Sequence, residues 1–118
     1  STTGTIEGAH FIEHGELISM SEQQLVDCSN QNSGCNGGVV QWAYEDIQGE
    51  GGIQTESSYP YEAMDRSCRF DASKVVCSVN GYKNIPYKDE VTQAQAVHDV
   101  GPVSVCIDAG HLSFQLYS

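Results

Sequence analysis

Residues 26–38 read VDCSNQNSGCNGG. Cys28 and Cys35 stand seven residues apart, and Gly37 and Gly38 follow the second cysteine after a single asparagine. The Ser, Asn and Gly content between the cysteines marks a loop. A cysteine metal site needs a second close ligand, and a phosphate-cradling loop needs a Lys after its glycines. Neither is present. The paired glycines therefore point to something that approaches the backbone closely, because glycine alone leaves the chain bare. Ordinary loop flexibility before a helix is the competing use.

Periodicity organises the chain on both sides of this loop. After Gly38, VVQWAYEDIQ puts Val40, Ala43, Tyr44 and Ile47 at helical spacing, and Gly49, Gly51 and Gly52 are expected to end that helix. Before the loop, SMSEQQLVDC opens a short helix, with Ser21 and Gln24 as an S-x-x-Q cap and Leu25 and Val26 as the expected buried side. The first segment, from Ser1 to about His14, reads as a helix stopped at Gly15. It carries no initiator Met, so the chain is expected to begin inside an element. Downstream, TESSYPYEAMDRSCRF shows neither period and is expected to be a surface loop, while VCSVNGYKNIP offers a short strand and turn. DEVTQAQAVHDVG places Val91, Ala94, Val97 and Val100 at helical steps before Gly101-Pro102. VSVCID then alternates, predicting a strand with Val103, Val105 and Ile107 on one face and Ser104, Cys106 and Asp108 on the other.

Composition limits the partners. Sixteen acidic against five basic residues give a formal net charge of −11, which argues against nucleic acid and anionic membrane, since both need clustered Lys and Arg. Mild acidity would relieve the resulting self-repulsion. No apolar run approaches the roughly 20 residues that span a bilayer. Five cysteines in 118 residues indicate an oxidising compartment, and an odd number leaves at least one without a partner in the chain. Zinc is the competing use of cysteine, but the spacings of Cys28, Cys35, Cys68, Cys77 and Cys106 contain no C-x-x-C pair, and the expectation counts no H-x-x-x-H pair either. On that ground neither a metal nor a cofactor is expected.

The strings STTGTIEG, SEQQLVDCS, GCNGG, SYPYEA, CRF and VGPVSVCIDAGHLSF occur in this order across essentially the whole chain. Together they resemble the papain family of cysteine proteases, and most of all its cathepsin L branch. The resemblance implies an α+β, papain-like fold. Residues 1–78 would be a helical left domain beginning inside its central helix, and residues 79–118 the first part of a β-barrel-type right domain. It implies a peptidase working through a thioester acyl-enzyme. The family's nucleophilic Cys would fall about four residues before Ser1, and its His and Asn, about 130–150 residues beyond the nucleophile, would fall past Ser118. No catalytic residue is therefore expected among these 118 residues.

Further roles follow from the same resemblance. Gly37 and Gly38 would meet an extended substrate backbone, which Gly38 pairs with like an added strand. Val40 and Cys106 would line the main specificity pocket, or else be ordinary core residues. Cys28 would bond Cys68, and Cys35 a cysteine outside the chain. Polypeptide substrates, the protein's own pro-segment and cystatin-like inhibitors are the implied partners, in a lysosomal or secreted setting. Cys77 and Cys106 depart from the family pattern and read as two separate buried thiols rather than a disulfide. Cys106 with His111 imitates a nucleophile and base, but a mid-strand thiol has no helix N-terminus to lower its pKa. His10, His14 and His98 read as surface or packing residues on helices, and Trp42 as packing in preference to edging the next pocket. A non-catalytic homologue retaining the fold for binding is the alternative; an unrelated disulfide-rich module leaves the ordered strings unexplained.

Overall fold

The computed structural model describes residues 1–118. Helix α1 (Thr2–His14) ends at Gly15 in the left-handed conformation, and α2 (Glu22–Cys28) begins at Ser21, whose hydroxyl accepts from the Gln24 N–H. Both boundaries follow the sequence signals. Helix α3 (Val40–Glu50) is closed by Gly51 in the left-handed region, so Gly49 lies inside the helix rather than ending it. Strands β1 (Ile53–Gln54) and β2 (Val75–Cys77) pair antiparallel, Ile53 opposite Cys77 and Gln54 opposite Val75. Helix α4 (Glu90–Asp99) is capped by Asp89, whose carboxylate accepts from the Thr92 N–H, and α5 (Leu112–Gln115) is a single turn.

The apolar core is small. Ile6 of α1, Met20, Ile47 of α3 and Ile53 of β1 meet at its centre, with Ile18, Leu25, Tyr44, Cys77 and Val79 packed around them. The buried side of α2 is not Leu25 and Val26, which are only half-buried, but Gln23, Gln24 and Cys28. Buried polar side chains are tolerated only when their hydrogen bonds are satisfied, and here they are. The Gln24 amide donates to the Gly52 carbonyl at 3.0 Å and to Glu50 Oε2 at 3.0 Å, while its Oε1 accepts from the Gln54 N–H at 2.8 Å. Gln23 donates to Asp27 Oδ1 at 2.7 Å and the Met64 carbonyl at 2.8 Å, and accepts from the Glu62 N–H at 2.8 Å.

Residues 55–70 form the expected surface loop, mostly exposed and without helix or strand, but this network draws one residue of it inside. Tyr59 is buried there, its carbonyl accepting from Ser21 Oγ and its hydroxyl donating to Asp27 Oδ2 at 2.7 Å. A disulfide joins Cys28 to Cys68 across 40 residues of sequence, the pairing implied by the resemblance. Closing a loop of that length constrains the unfolded chain by about 4 kcal/mol in the chain-entropy view. Beside the disulfide, Asp27 accepts from the Arg66 N–H at 2.9 Å, and the Tyr59 hydroxyl accepts from the Arg69 N–H at 3.0 Å.

The predicted strand at VSVCID is not formed; residues 101–110 are irregular. A strand is defined by ladder hydrogen bonds, and no other segment of the chain pairs with this one. It is held against the helices instead. The Ser104 hydroxyl sits 2.7 Å from Thr5 Oγ1 and 3.1 Å from the Tyr44 hydroxyl, and donates to the Ser1 carbonyl at 3.2 Å. Pro102 closes on α1 at Gly8, where a Cβ would lie 2.4 Å from the proline ring. Val105 and Ile107 are exposed, as are Val91 and Val97 of α4 and Val100 just after it.

The Asp27 carboxylate is the polar pivot of this half of the fold, its side chain being wholly buried. Burial by itself raises its pKa, but bonds from Tyr59, Arg66 and Gln23 and the charge of Arg69 together bring it below the ordinary 3.8. A depressed acid stabilises the fold above its unfolded pKa, and that contribution is lost as pH falls through the folded value. Asp27→Ala leaves several buried donors unpaired and is expected to cost about 3 kcal/mol near neutrality. In urea unfolding, the difference from wild type should shrink as pH falls below 3.8. A difference that is constant with pH would contradict this account.

Candidate functional site

The loop that follows α2 is built from side-chain hydrogen bonds because it has no regular ladder. Asp46 of α3 accepts from Ser29 Oγ at 2.6 Å, and Ser29 Oγ accepts from Asn32 Nδ2 at 2.7 Å. Asn32 Oδ1 in turn accepts from the Val39 N–H at 2.7 Å. This relay carries the position of α3 round to the residues that precede it. Gly34–Asn36 form one 3-10 turn, with the Cys35 N–H donating to Asp65 Oδ1 at 2.8 Å.

The two glycines are demanded for different reasons. Gly37 has φ 109° and ψ −176°, a backbone region open essentially to glycine alone. Gly38 has an ordinary φ, but a Cβ on it would lie 2.4 Å from Asn32 Oδ1 and 2.5 Å from Asn32 Cγ. Glycine at 38 thus lets the Asn32 side chain reach Val39. Gly38 is exposed, and its own N–H and C=O make no hydrogen bond within the chain. It forms a short, bare ledge.

Gly37 shares a cleft of about 520 Å³ with Glu22, Val26, Gly34, Cys35 and Tyr61. Glu22 accepts from Thr3 Oγ1 at 3.1 Å, which sets the first turn of α1 beside that cleft. Val40, at the start of α3, is half-buried, and Val39 and Trp42 are exposed. Trp42 is therefore not the packing residue expected.

Cys106 is exposed rather than buried, and it follows Ser104, which anchors the segment to α1 and α3. His111 pairs with Asp108, Nε2 to Oδ2 3.3 Å, and not with Cys106. Cys77 is free and half-buried on β2. Burial, and then the Glu13 charge, push its thiol up; burial, and then Asp65, do the same to Cys35. Neither is poised as a thiolate. Cys28, Cys68 and Glu50 lie together, but both sulfurs are in the disulfide and offer no thiolate to a metal.

A second depression, about 640 Å³, is lined by the polar residues Asp65, Arg66, Ser67 and Arg69. Its arginines are already engaged by Glu62, at 3.0 Å from Arg66 and 2.7 Å from Arg69. The residues that shape the ledge, Asn32, Ser29 and Asp46, escaped the sequence reading. Polar residues in a polar loop carry no period or motif of their own.

Residues 1–118 match the family described as papain family cysteine protease. The chain is 53% identical to digestive cysteine proteinase 2 of Homarus americanus and 54% identical to cathepsin L1 of Drosophila melanogaster. All of it aligns, to 37% and 32% of those two proteins respectively, so it spans about a third of the length of these curated relatives. The solved structure of digestive procathepsin L2 proteinase from Tenebrio molitor larval midgut superimposes with a TM-score of 0.91 at 39% identity. That match covers 96% of this chain and 36% of the other. The expected α+β, papain-like fold is thereby established.

The ledge geometry yields a double-mutant test. Gly38→Ala forces Asn32 away and is expected to cost about 1–3 kcal/mol of stability by overpacking. Asn32→Ala removes the obstructing group along with the Val39 bond. In that background Gly38→Ala should cost at least about 0.5 kcal/mol less, a coupling readable from urea unfolding of the four proteins. Strict additivity would show that Asn32 is not what excludes a side chain at 38.

Proposed function

This chain belongs to the papain family of cysteine proteases, and from that premise we propose that the complete protein hydrolyses peptide bonds through a thioester acyl-enzyme. The observation that carries the reading is the Gly38 ledge, exposed and with both backbone groups free. An extended polypeptide satisfies such groups by adding as a strand. A second support is the first turn of α1, tied through Thr3 and Glu22 to the cleft that Gly37 lines. A thiol just before that turn would feel the positive end of the helix dipole, which favours the thiolate. An imidazole would complete the ion pair and an Asn would orient its ring. By the resemblance these three residues lie outside residues 1–118, so we propose that these residues alone are inert as a catalyst.

Gly37 and Gly38 are assigned to substrate backbone, and Val40 and Cys106 to the pocket for the second residue before the cut. Cys35 is assigned a disulfide partner outside the chain. We divide the chain into a helical domain over 1–78 and the first part of a β domain over 79–118. Partners are polypeptide substrates, the pro-segment and cystatin-like inhibitors, met in a lysosome or outside the cell. No helix is long and apolar enough to cross a membrane.

The test assays the complete protein and Ser1–Ser118 side by side with a fluorogenic peptide and a thiol-directed inhibitor. Inhibitable turnover is expected from the complete protein only. Its peptide-library profile should favour Leu, Val or Phe over Arg at the second position before the cut, and Val40→Phe should move preference toward smaller residues. Turnover by Ser1–Ser118 that disappears with Cys106→Ala would overturn the roles assigned here. A profile unchanged by Val40→Phe would remove Val40 from the pocket.

A further inference from the structure

Helix α1 ends in HFIEH, residues 10–14. The expectation of no metal site counted no H-x-x-x-H pair, and His10 and His14 correct it, for they form one. Side chains four residues apart share one face of a helix, and two histidines so placed are a recurring metal-binding arrangement. The two imidazole ring centres lie 4.6 Å apart, with planes inclined at 46°.

That separation matches a chelate. A metal about 2.0–2.1 Å from one nitrogen of each ring lies about 3.2 Å from each ring centre, so rings at roughly a right angle about it are about 4.5 Å apart. Aiming one nitrogen of each ring at a common point draws on χ2, a soft torsion for imidazole. The rings are accessible, since His10 is half-buried and the His14 side chain is 55% exposed.

The surroundings also favour a cation. Glu13 places Oε2 3.7 Å from His14 Nε2 on an exposed side chain. The last turn of α1 presents the negative end of its dipole, where positive charge is stabilised. The chain as a whole carries a formal net charge of −11.

We propose that His10 and His14 form a surface chelate for a divalent transition-metal ion, with Glu13 balancing its charge. Imidazole donors select among such ions in the usual order, Cu²⁺ most tightly and Ni²⁺ and Zn²⁺ more weakly. The ion bridges one turn of α1 and so ties down its C-terminal end. This site is independent of the Gly38 ledge and of any peptidase activity.

The test uses the untagged complete protein with its free thiols alkylated and Cu²⁺ as the only added ligand. Calorimetric titration reads affinity, electron paramagnetic resonance reads the nitrogen ligands, and circular dichroism verifies that each variant is folded. Wild type should show two imidazole nitrogens on one bound ion. His10→Ala and His14→Ala should each leave one and weaken binding by about tenfold to a hundredfold, because the second contact of a chelate is made at high effective concentration. His98→Ala, which removes an exposed histidine on α4, should leave both readings unchanged. Affinity within about twofold of wild type in either single variant would overturn the proposal. So would wild-type binding no tighter than that of the His10→Ala/His14→Ala double variant, the signature of adventitious surface binding.

Discussion

The structure depends on the requirement that polar side chains removed from water find partners inside the protein. Three residues of α2, Gln23, Gln24 and Asp27, meet it by taking up backbone groups of a chain that has almost no ladder of its own. Gln24 holds the turn from α3 into β1 through Gly52 and Gln54, while Gln23 and Asp27 hold residues 62–66. Each bond alone contributes about 1 kcal/mol, but losing one partner leaves the other buried and unpaired. The cost of an error in this network is therefore larger than any single bond indicates. The disulfide from Cys28 to Cys68 fastens the same two segments covalently, immediately beside Asp27.

From this anchor the ledge is positioned at second hand. Helix α3 packs against α1 and α2 through Ile47 in the core, and its Asp46 carries the hydrogen-bonded relay through Ser29 and Asn32 to Val39. The relay satisfies the neighbours of Gly38 and leaves Gly38 itself free. In the proposed role, hydrogen-bonded Asn32 and Val39 beside an unsatisfied Gly38 would offer a fixed edge for another chain to join. A flexible loop would have to be ordered by its ligand, at a cost to affinity.

The C-terminal third is organised differently. Helix α4 is well capped by Asp89, yet its valines face solvent, and residues 101–110 reach the rest of the chain through Ser104 and Pro102. The segment follows the surface of α1 without a sheet to enter. Alternation at Val103, Val105 and Ile107 thus marks a strand-forming pattern whose ladder partner is not supplied by these residues.

The sequence by itself determined helices α1 to α4, the stop at Gly15, a stop among Gly49, Gly51 and Gly52, the Ser21 cap, the family and the Cys28–Cys68 pairing that the family implies. These are legible because caps, terminators and periodicity act within a few residues, and because the ordered strings are shared with proteins about half identical over the whole chain. Only the tertiary structure decided that α2 buries glutamines rather than Leu25 and Val26, that Tyr59 lies inside, that Cys106 and Trp42 are exposed, and that VSVCID forms no strand. Each of these depends on a partner distant in sequence. A glutamine is buried where a backbone awaits its amide, and a strand exists where a second strand meets it. Gly38 lies between the two cases: the sequence singled it out, and the approach of Asn32 supplies a physical reason for it within the chain.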